Sequence, residues 1–479
     1  MNNKFRFIIP ESEVSNSLLQ YLSQFGICYL VSLVKDGSEK INSNNVIAVN
    51  GPFRSSVTID KIKHLSDESL YTVFVNKISD IKLTDSFFSE LEKGNHKIAY
   101  SDYSSNNGDA QRLIDYQAGS IRDGFDFGPL IIVANEALIK CESNDYKFAG
   151  LYDMLLQISE VELPYHITKV LYEANDFHVD SRKSGEKQFD YLNPNSRDAQ
   201  IEFEKAATEH LKRIGAYIDS ARLNYVKFRN SDFDVKVSVV IPVYNRCKTI
   251  ADAIKSALSQ DFSDKYNVIV VDNHSTDGTT EIIDLIAKED ERVIHIIPDT
   301  YDLGIGGCWN LALDSDKCGM FAVQLDSDDI YKDSTTISKI VGKFESDNCA
   351  MVIGSYAITD FQLNSLPPGI IDHKEWTDRN GMNNALRING LGAPRAFYTP
   401  IARTIRFKNC SYGEDYAMAL AISRQFKLSR IYDILYICRR WEGNSDANLT
   451  REKENKNNYF KDGIRTEEIE KRCTLNKIN

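Results

Sequence analysis

The second half of this chain alternates apolar strands with helical segments, and this pattern constrains the fold more than any other feature. Residues 236–242 and 267–272 are apolar strands, and an amphipathic segment, 249–260, separates them. Strands that alternate with helices imply a parallel sheet with right-handed crossovers. Asp272 and Asp326 each end an apolar strand, so we expect both at one edge of that sheet. Open α/β sheets bind their ligands at this edge.

Asp326 and Asp328 flank Ser327 directly after the apolar residues 322–325. In an extended segment, residues two positions apart point the same way, so both carboxylates can face one hard, oxygen-seeking cation. Such a cation would bridge a diphosphate. An isolated Asp-x-Asp is more often a solvated acidic turn, so the surrounding motifs decide between the two interpretations.

Composition limits the class of protein. The chain has 479 residues, which predicts two to four domains, and its net charge of −12 argues against a nucleic-acid or anionic-membrane surface. The nine cysteines are scattered and form no Cys-x-x-Cys pair, so we expect reduced thiols in a cytoplasmic compartment. We find no run of about 18 apolar residues. The expectation is a cytoplasmic protein, with peripheral membrane association left open.

The same patterns predict the domain boundaries. Residues 1–179 contain short apolar strands between helical stretches and indicate a first α/β domain. Residues 180–234 are interpreted as a linker with a helix, from Arg197 to about Ile218, that braces two domains. Residues 235–450 form the second α/β unit. Residues 451–479 are charged and rich in Asn, which predicts a frayed tail.

Four motifs of the second unit resemble a known family. Residues 238–245, 270–278, 325–329 and 413–415 closely resemble, in this order, the motifs of family 2 glycosyltransferases. The resemblance implies a GT-A fold, a Rossmann-like and mostly parallel sheet flanked by helices. It also implies a hexosyltransferase-type, inverting enzyme. The donor would be a nucleotide sugar, most simply a UDP-sugar, and the acceptor a hydroxyl group of a glycan or of a lipid-linked molecule.

By this resemblance, several residues of the second unit acquire roles. Asp272 would hydrogen-bond the base of the nucleotide, Asp326 would reach the ribose or the metal, and Asp328 would ligate the metal. The residues that would line the nucleotide pocket are Pro242, Tyr244 and Asn245. Oxygen ligands predict Mg²⁺ or Mn²⁺. A nucleoside diphosphate that leaves with growing negative charge has use for such an ion.

The acidic pair Glu414 and Asp415 supplies the expected catalytic residues. Asp415 would be the general base that takes the proton of the acceptor hydroxyl. The alternative is a capping role, because acidic residues are favourable in the first turn of a helix. A base can stand at the start of a helix and serve both purposes.

One part of the family pattern is missing. Family members carry a late His as a further metal ligand, whereas this chain has Trp441 at the matching position, with Glu442 or Asp446 as possible substitutes. Arg439 and Arg440 are predicted to neutralise the diphosphate, or else to be ordinary surface charges.

The first half of the chain resembles the second. Residues 98–103 are similar in form to 322–328, and residues 149–153 with Leu171-Tyr172 resemble 413–415 with Leu435-Tyr436. This predicts a degenerate GT-A-like first domain, with an unrelated α/β domain as the alternative. In this match Asp102 is the single carboxylate at the metal site, and Asp153 is the surviving base. We therefore predict a first domain that does not catalyse transfer.

Three other functions remain as alternatives. A nucleotidyltransferase acting on sugar phosphates would show a Gly-rich loop after its first strand, and residues 243–246 contain no glycine. A non-catalytic sugar-binding module would not need Asp326, Asp328 and Asp415 together. A two-site glycan polymerase would need an active first domain.

Overall fold

A computed structural model describes residues 4–33, 45–76, 78–176, 197–229, 232–441, 444 and 450–478. The chain divides into two compact units. Among the described residues, the first unit contains 4–176, 197–217 and 450–478, and the second contains 218–441 and 444. Of the predicted linker, 180–234, residues 180–196, 230 and 231 lie outside the described residues.

The first unit is built on a nine-stranded mixed sheet with helices around it. Its strands are β1 Phe5–Pro10, β2 Ile27–Leu33, β3 Val46–Val49, β4 Tyr71–Val75, β5 Ile78–Leu83, β6 Ile98–Ser104, β7 Ala110–Gln111, β8 Leu130–Ala134 and β9 Tyr165–Asp176. Its helices before the second unit are α1 Asn16–Leu22, α2 Ser56–Lys63, α3 Phe87–Glu92, α4 Asn135–Leu138, α5 Gly150–Ser159 and α6 Arg197–Arg213. The sheet order is β3-β2-β1-β4-β8-β6-β9-β5, and β7 pairs with β6.

The second unit has a sheet of the same size. Its strands are β10 Val237–Val243, β11 Tyr266–Asp272, β12 Val293–Ile296, β13 Phe321–Gln324, β14 Ile330–Tyr331, β15 Met351–Thr359, β16 Ser365–Ile371, β17 Arg395–Tyr398 and β18 Leu428–Arg439. Its helices are α7 Ile250–Leu258, α8 Thr279–Glu289, α9 Ile305–Asp314, α10 Thr336–Asp347, α11 Gly381–Asn384, α12 Thr399–Ile405 and α13 Glu414–Ser423. The order is β12-β11-β10-β13-β17-β15-β18-β14, and β16 pairs with β15.

Both units are α/β, as the sequence predicts. In the second unit, β12, β11, β10 and β13 run parallel, and β17 joins them antiparallel. The strands β10 and β11 are almost entirely buried because helices cover both of their faces. The parallel strands bring Asp272 and the residues that follow Gln324 to the same edge of the sheet.

The predicted internal repeat exists in the topology. The two strand orders are identical when each strand number of the first unit is raised by nine, and each pair of strands has the same direction in both units. Tyr103 pairs with Tyr172 in the first sheet, and Tyr356 pairs with Tyr436 at the corresponding place in the second. The match of α5 and β9 to α13 and β18 is therefore right.

The other half of the predicted match is wrong. Strand β6, which carries Asp102, corresponds to β15, whereas the counterpart of β13 is β4. An apolar strand that ends in a polar residue occurs many times in an α/β sheet, so the pattern alone does not say which strand is which. Among the described residues, Asn76 follows β4. Asp102 is buried and bonded to Arg112 and His166.

The prediction of a frayed tail is also wrong. Residues Arg451–Ile478 form a single helix, α14, which belongs to the first unit. Its charged residues misled the prediction because several of them are buried in ion pairs: Arg472 bonds Glu468, and Arg465 bonds Asp462. No described helix is both long and apolar enough to cross a membrane.

Helix α6 belongs to the first unit as well, and it ends at Arg213, five residues before the predicted end. Glu202 on this helix accepts hydrogen bonds from the backbone N–H groups of residues 147–149, directly before α5. His210 and Arg213 bond Glu160 at the other end of α5. The described contacts of α6 therefore hold both ends of α5, a helix of the same unit.

The buried cluster around Asp462 makes a testable contribution to stability. Asp462 accepts hydrogen bonds from Ser120, Arg122 and Arg465, and both Asp462 and Arg465 are fully buried. Asp462→Ala leaves two arginines buried without this carboxylate, and we expect it to lower the free energy of unfolding by about 3–5 kcal/mol. Urea unfolding followed by circular dichroism measures this. The control is Asp126→Ala, an exposed carboxylate paired with Arg451, which should cost less than about 1 kcal/mol. Equal effects of both variants would contradict the prediction.

Candidate active site

The loop between β13 and β14 carries the acidic motif, and β18 holds it. The backbone N–H of Asp326 donates to the Tyr436 hydroxyl at 3.0 Å, and the buried carboxylate of Asp329 accepts from the backbone N–H of Arg439 at 2.8 Å. Burial raises the pKa of Asp329 well above its ordinary value, and Asp326 and Asp328 add to the rise. Asp329 is therefore a structural member of the motif, since its side chain is used inside the protein.

Asp326 points into the site. Its carboxylate reaches solvent and accepts a hydrogen bond from the Gln324 amide at 2.8 Å. The surrounding walls remove hydration, and this raises its pKa, although Arg395 acts in the opposite direction. The nearby charges of Asp328 and Asp415 raise the pKa further. These mutual repulsions mark a place where several negative charges converge.

Asp328 is oriented by groups from the end of the second unit. Its Oδ2 atom accepts hydrogen bonds from the Trp441 indole and the Asn444 amide, each at 3.2 Å, and lies 3.8 Å from Nε of Arg246. An indole N–H only donates, so Trp441 orients the carboxylate and cannot take the place of a ligating histidine. The substitutes considered from the sequence, Glu442 and Asp446, lie outside the described residues.

The two adjacent arginines at the end of β18 differ in role. Arg439 is buried: it donates to the Asp328 carbonyl, forms an ion pair with Asp252 at 2.9 Å and lies over the Phe361 ring. Its charge therefore supports the acidic loop, and Nη2 of Arg439 is buried without a hydrogen bond from the described residues. Its contact with a diphosphate stays a prediction. Arg440 is half-buried, and its backbone N–H donates to Thr359.

Asp272 is fully buried, which corrects the prediction that it contacts a base. Its oxygens accept hydrogen bonds from the Ser275 backbone and the Thr280 hydroxyl, and His295 lies 3.6 Å away. Burial alone would raise the pKa of Asp272, but these interactions outweigh it and lower the pKa. Asp272 therefore organises the turn after β11, because its carboxylate binds the Ser275 backbone and the Thr280 hydroxyl that follow it.

Its neighbour Asn273 is a site residue to which the sequence analysis assigned no role. The Asn273 amide donates to the Leu303 carbonyl at 2.9 Å, and its Oδ1 atom accepts no hydrogen bond from any described residue. A buried acceptor without a partner is unusual. The fixed amide thus presents an acceptor at the edge where β11 ends.

The turn after β10 carries the other predicted nucleotide-pocket residues. Tyr244 is 56% exposed, and Pro242 is half-buried in the strand. Asn245 has a positive φ of 52° and bonds the second turn twice: its backbone N–H donates to Ser275, and its side chain accepts from Thr276. The structure thus brings these residues to the edge predicted for them.

Asp415 and Glu414 begin α13, beside Arg395. Asp415 Oδ2 lies 2.5 Å from Nη1 of Arg395, and Oδ1 accepts from the backbone N–H of Tyr416 at 2.7 Å. Glu414 is buried, and its Oε2 atom accepts no hydrogen bond from the described residues. Burial and the neighbouring charge of Asp415 raise the pKa of Glu414 to about 8. The two adjacent carboxyl groups therefore differ in charge. Asp415 is paired with Arg395, whereas Glu414 stays protonated at neutral pH.

A buried glutamine connects the two acidic groups. Gln324 accepts a hydrogen bond from the backbone N–H of Arg395 at 3.1 Å and donates to Asp326. Asp326 and Asp415 therefore share one hydrogen-bonded frame, made of Gln324 and Arg395. The contact between these two residues leaves no recognisable signal in the sequence, because it depends on the pairing of β13 with β17.

Comparisons with known proteins match the part of the chain that carries this site. Residues 238–411 match the family model described as glycosyl transferase family 2. A Campylobacter jejuni protein named GalNAc(5)-diNAcBac-PP-undecaprenol beta-1,3-glucosyltransferase is 37% identical over 94 residues, which are 20% of this chain and 30% of that protein. An Escherichia coli protein, UDP-Glc:alpha-D-GlcNAc-diphosphoundecaprenol beta-1,3-glucosyltransferase WfaP, is 37% identical over 138 residues, which are 28% and 53%. This chain thus spans a third to about half of the length of these relatives.

Among solved structures, S. aureus TarS 1-349 in complex with UDP-GlcNAc matches 45% of this chain and 62% of its own, with 21% identity and a TM-score of 0.38. A second, the mannosyltransferase PcManGT from Pyrobaculum calidifontis in complex with GDP-Man and Mn²⁺, matches 59% of this chain and 85% of its own. That match has 14% identity and a TM-score of 0.37.

The protonated state of Glu414 predicts a pH dependence of stability. A carboxyl group whose pKa rises on folding, here from 4.5 to about 8, binds its proton more tightly in the folded protein. Stability therefore falls as pH rises through this interval and levels off above it. We expect Glu414→Gln, which cannot ionise, to reduce this fall in the free energy of unfolding. Urea titrations from pH 5 to pH 8.5 in the absence of divalent ions measure it. Glu345→Gln, an exposed site, controls for the loss of a carboxylate in general, and equal slopes in wild type and Glu414→Gln would refute the assignment.

Proposed function

With residues 238–411 belonging to glycosyl transferase family 2, we propose that this chain is an inverting glycosyltransferase that moves a sugar from a nucleotide sugar to a hydroxyl group. The observation that carries the proposal is the frame linking Asp326 to Asp415. It holds a donor-side carboxylate and a second carboxylate paired with Arg395 in one site. A binding module would not need Asp326, Asp328 and Asp415 together.

Asp415 is the proposed general base. In a single displacement, the acceptor hydroxyl loses its proton as its oxygen attacks the anomeric carbon, and the nucleoside diphosphate leaves from the opposite face. Asp415 accepts that proton. Because attack and departure take place on opposite faces of the anomeric carbon, its configuration is inverted. The bonds from Arg395 and Tyr416 orient the carboxylate for this step. Glu414, protonated at neutral pH, leaves Asp415 as the basic member of the pair.

A divalent cation fits the acidic loop. Asp328 and Asp326 would hold Mg²⁺ or Mn²⁺, and the mutual repulsion that raises the pKa of Asp326 is relieved by a positive charge there. No group of three or more His, Cys, Asp or Glu side chains in the described part of the chain is arranged to hold a metal by itself. Mg²⁺ commonly uses one or two carboxylates together with phosphate oxygens. When bound, the ion would offset the negative charge of the leaving diphosphate.

The relatives suggest the substrates. The name of the Escherichia coli relative specifies UDP-Glc and a diphosphoundecaprenol-linked acceptor, and the name of the Campylobacter jejuni relative specifies an undecaprenol-linked acceptor. We therefore propose a UDP-sugar donor and a glycan acceptor carried on a lipid diphosphate. A cytoplasmic enzyme associated with the membrane surface would act on such an acceptor, in polysaccharide biosynthesis.

The first unit is proposed to be non-catalytic. At the place where the second unit has its acidic loop, Asn76 follows β4. Asp153, the candidate base of this unit, is buried and accepts hydrogen bonds from Asn144 and Gln157. These observations favour one catalytic site over the two-site polymerase, and residues 243–246 without glycine speak against a nucleotidyltransferase.

Asp328→Asn tests the acidic loop. The amide keeps the size of the side chain and its acceptor for Trp441 but removes the charge. We expect it to abolish Mn²⁺-dependent binding of UDP and sugar transfer, a loss of several kcal/mol in transition-state stabilisation. Calorimetry measures the binding of UDP. The release of UDP or GDP from UDP-glucose, UDP-N-acetylglucosamine and GDP-mannose measures sugar transfer. Asp316→Asn, at an exposed site, is the control. Wild-type turnover in Asp328→Asn would refute the role of Asp328 in the reaction. If the variant loses one sugar-transfer activity and keeps a second, the first unit contains an active site of its own.

Asp415→Asn tests the base. We expect it to retain nucleotide binding and to lose a hundredfold or more in turnover, because a positioned base contributes about 10²–10⁴-fold. Nucleotide binding is measured by calorimetry, and turnover is measured by the release of the nucleoside diphosphate. For the wild type, an NMR spectrum of the product glycoside should show the inverted anomer. Retention of configuration would require a different mechanism.

A further inference from the structure

Arg395 stands at the centre of the acidic site. It is the first residue of β17, its side chain is 18% exposed, and Nη1 contacts both the Asp415 carboxylate at 2.5 Å and the Gly392 carbonyl at 3.1 Å. Its charge also interacts with Asp326 and Glu414. We propose that Arg395 is a positioning residue that fixes Asp415 for proton transfer and links the base to the donor side of the site. This inference rests on the proposed function.

The first support is geometric. Asp415 lies near the start of a helix, where a side chain is held only by its own turn unless a second element contacts it. The Tyr416 backbone N–H binds one oxygen, and Arg395 binds the other from a different strand. Together they fix the plane of the carboxylate. Because a displacement of about 1 Å can cost on the order of a hundredfold in rate, such fixation matters for a base.

The second support is the fixation of Arg395 itself. Its backbone N–H donates to Gln324, whose amide also holds Asp326. On the other side, the loop before it is secured by the buried Arg430, which donates to the Leu391 carbonyl at 2.7 Å. A change in the position of Arg395 would therefore move Asp415 relative to Asp326. The guanidinium group sets the distance between the base and the donor side.

The third support is charge balance through the reaction. When the acceptor O–H bond breaks, its proton passes to Asp415, which becomes neutral, while Arg395 keeps all of its protons because a guanidinium does not deprotonate in proteins. An arginine with one acidic partner would then be left in the site without a counter-charge. The negative charge of Asp326 also acts on Arg395, so a second carboxylate offsets part of the charge of the arginine after the transfer.

The selectivity of the contact is the fourth support. Arg395 bonds Asp415 and leaves Oε2 of the adjacent Glu414 without a hydrogen bond from the described residues. A plain structural ion pair at a helix start would serve equally well with either acid. The arginine instead selects the residue proposed to take the proton.

Arg395→Ala, with Arg395→Lys as its conservative counterpart, tests the inference. Donor hydrolysis is the assay, since water is then the acceptor and the natural one is not needed. The donor is whichever of UDP-glucose, UDP-N-acetylglucosamine and GDP-mannose the wild type turns over. We expect kcat of Arg395→Ala to fall about 10- to 100-fold with KM for the donor changed less than about threefold. The lysine variant should be intermediate, because lysine keeps the charge but not the planar fork.

Chemical rescue separates positioning from general damage. Guanidinium chloride at tens of millimolar should raise kcat of Arg395→Ala several-fold and leave Asp415→Asn unchanged. The control is Arg292→Ala, an arginine paired with Asp290 at the amino-terminal end of β12, which should keep wild-type kcat. Thermal melting checks the fold, and if the alanine variant does not fold, the reduced kcat of the lysine variant decides.

The outcomes distinguish two failures. If Asp328→Asn and Asp415→Asn lose turnover while Arg395→Ala keeps kcat within twofold, the positioning role is wrong and the proposed function stands. A loss in Arg395→Ala that appears only in KM for the donor, or that guanidinium does not relieve, also overturns the positioning role. If the two aspartate variants keep turnover, the proposed function itself fails.

Discussion

The active-site end of the second unit depends on how the protein holds several carboxyl groups close together. Asp326, Asp328, Asp329, Glu414 and Asp415 converge there, and like charges at such separations repel strongly where water is partly excluded. The structure meets this repulsion in three ways. Arg395 compensates Asp415 and Asp326, Asp329 is bonded by the backbone of β18, and Glu414 stays protonated at neutral pH. The charge that remains on Asp326 and Asp328 is suited to a divalent cation.

Strand β18 is the element on which this arrangement rests. It lies parallel to β15 and antiparallel to β14, and it supplies both the Tyr436 hydroxyl and the Arg439 backbone that hold the acidic loop. Arg439 also ties the loop to α7 through Asp252. A strand that is paired on both sides is rigid, so it can fix loop residues more closely than another loop could. The chemistry therefore sits on a loop, but its geometry is set by the sheet.

The two units share one scaffold but differ at the ends of their strands. They have the same strand order and the same pair of facing tyrosines, Tyr103 with Tyr172 and Tyr356 with Tyr436. The fold is specified by buried strands, which both sequences contain, whereas the site is specified by a few residues that follow the strands. The first unit keeps the strands and has Asn76 after β4, where the second has its acidic loop. A repeat can thus keep its architecture while its strand ends change.

The sequence by itself determined the α/β class, the strands β10, β11 and β13, and the edge at which the polar motifs meet, because period and burial are local properties of the chain. It also identified Asp326, Asp328 and Asp415, which follow buried strands or begin a helix within recognisable motifs. Only the tertiary structure decided how these residues are held. The pairing of β13 with β17 brings Gln324 and Arg395 together, and β18 closes over Asp329. Packing also decided that Asp272 is buried within its turn and that the charged tail forms α14 with buried ion pairs. Contacts between residues far apart in sequence depend on strand order, and strand order leaves no local trace in the amino acids.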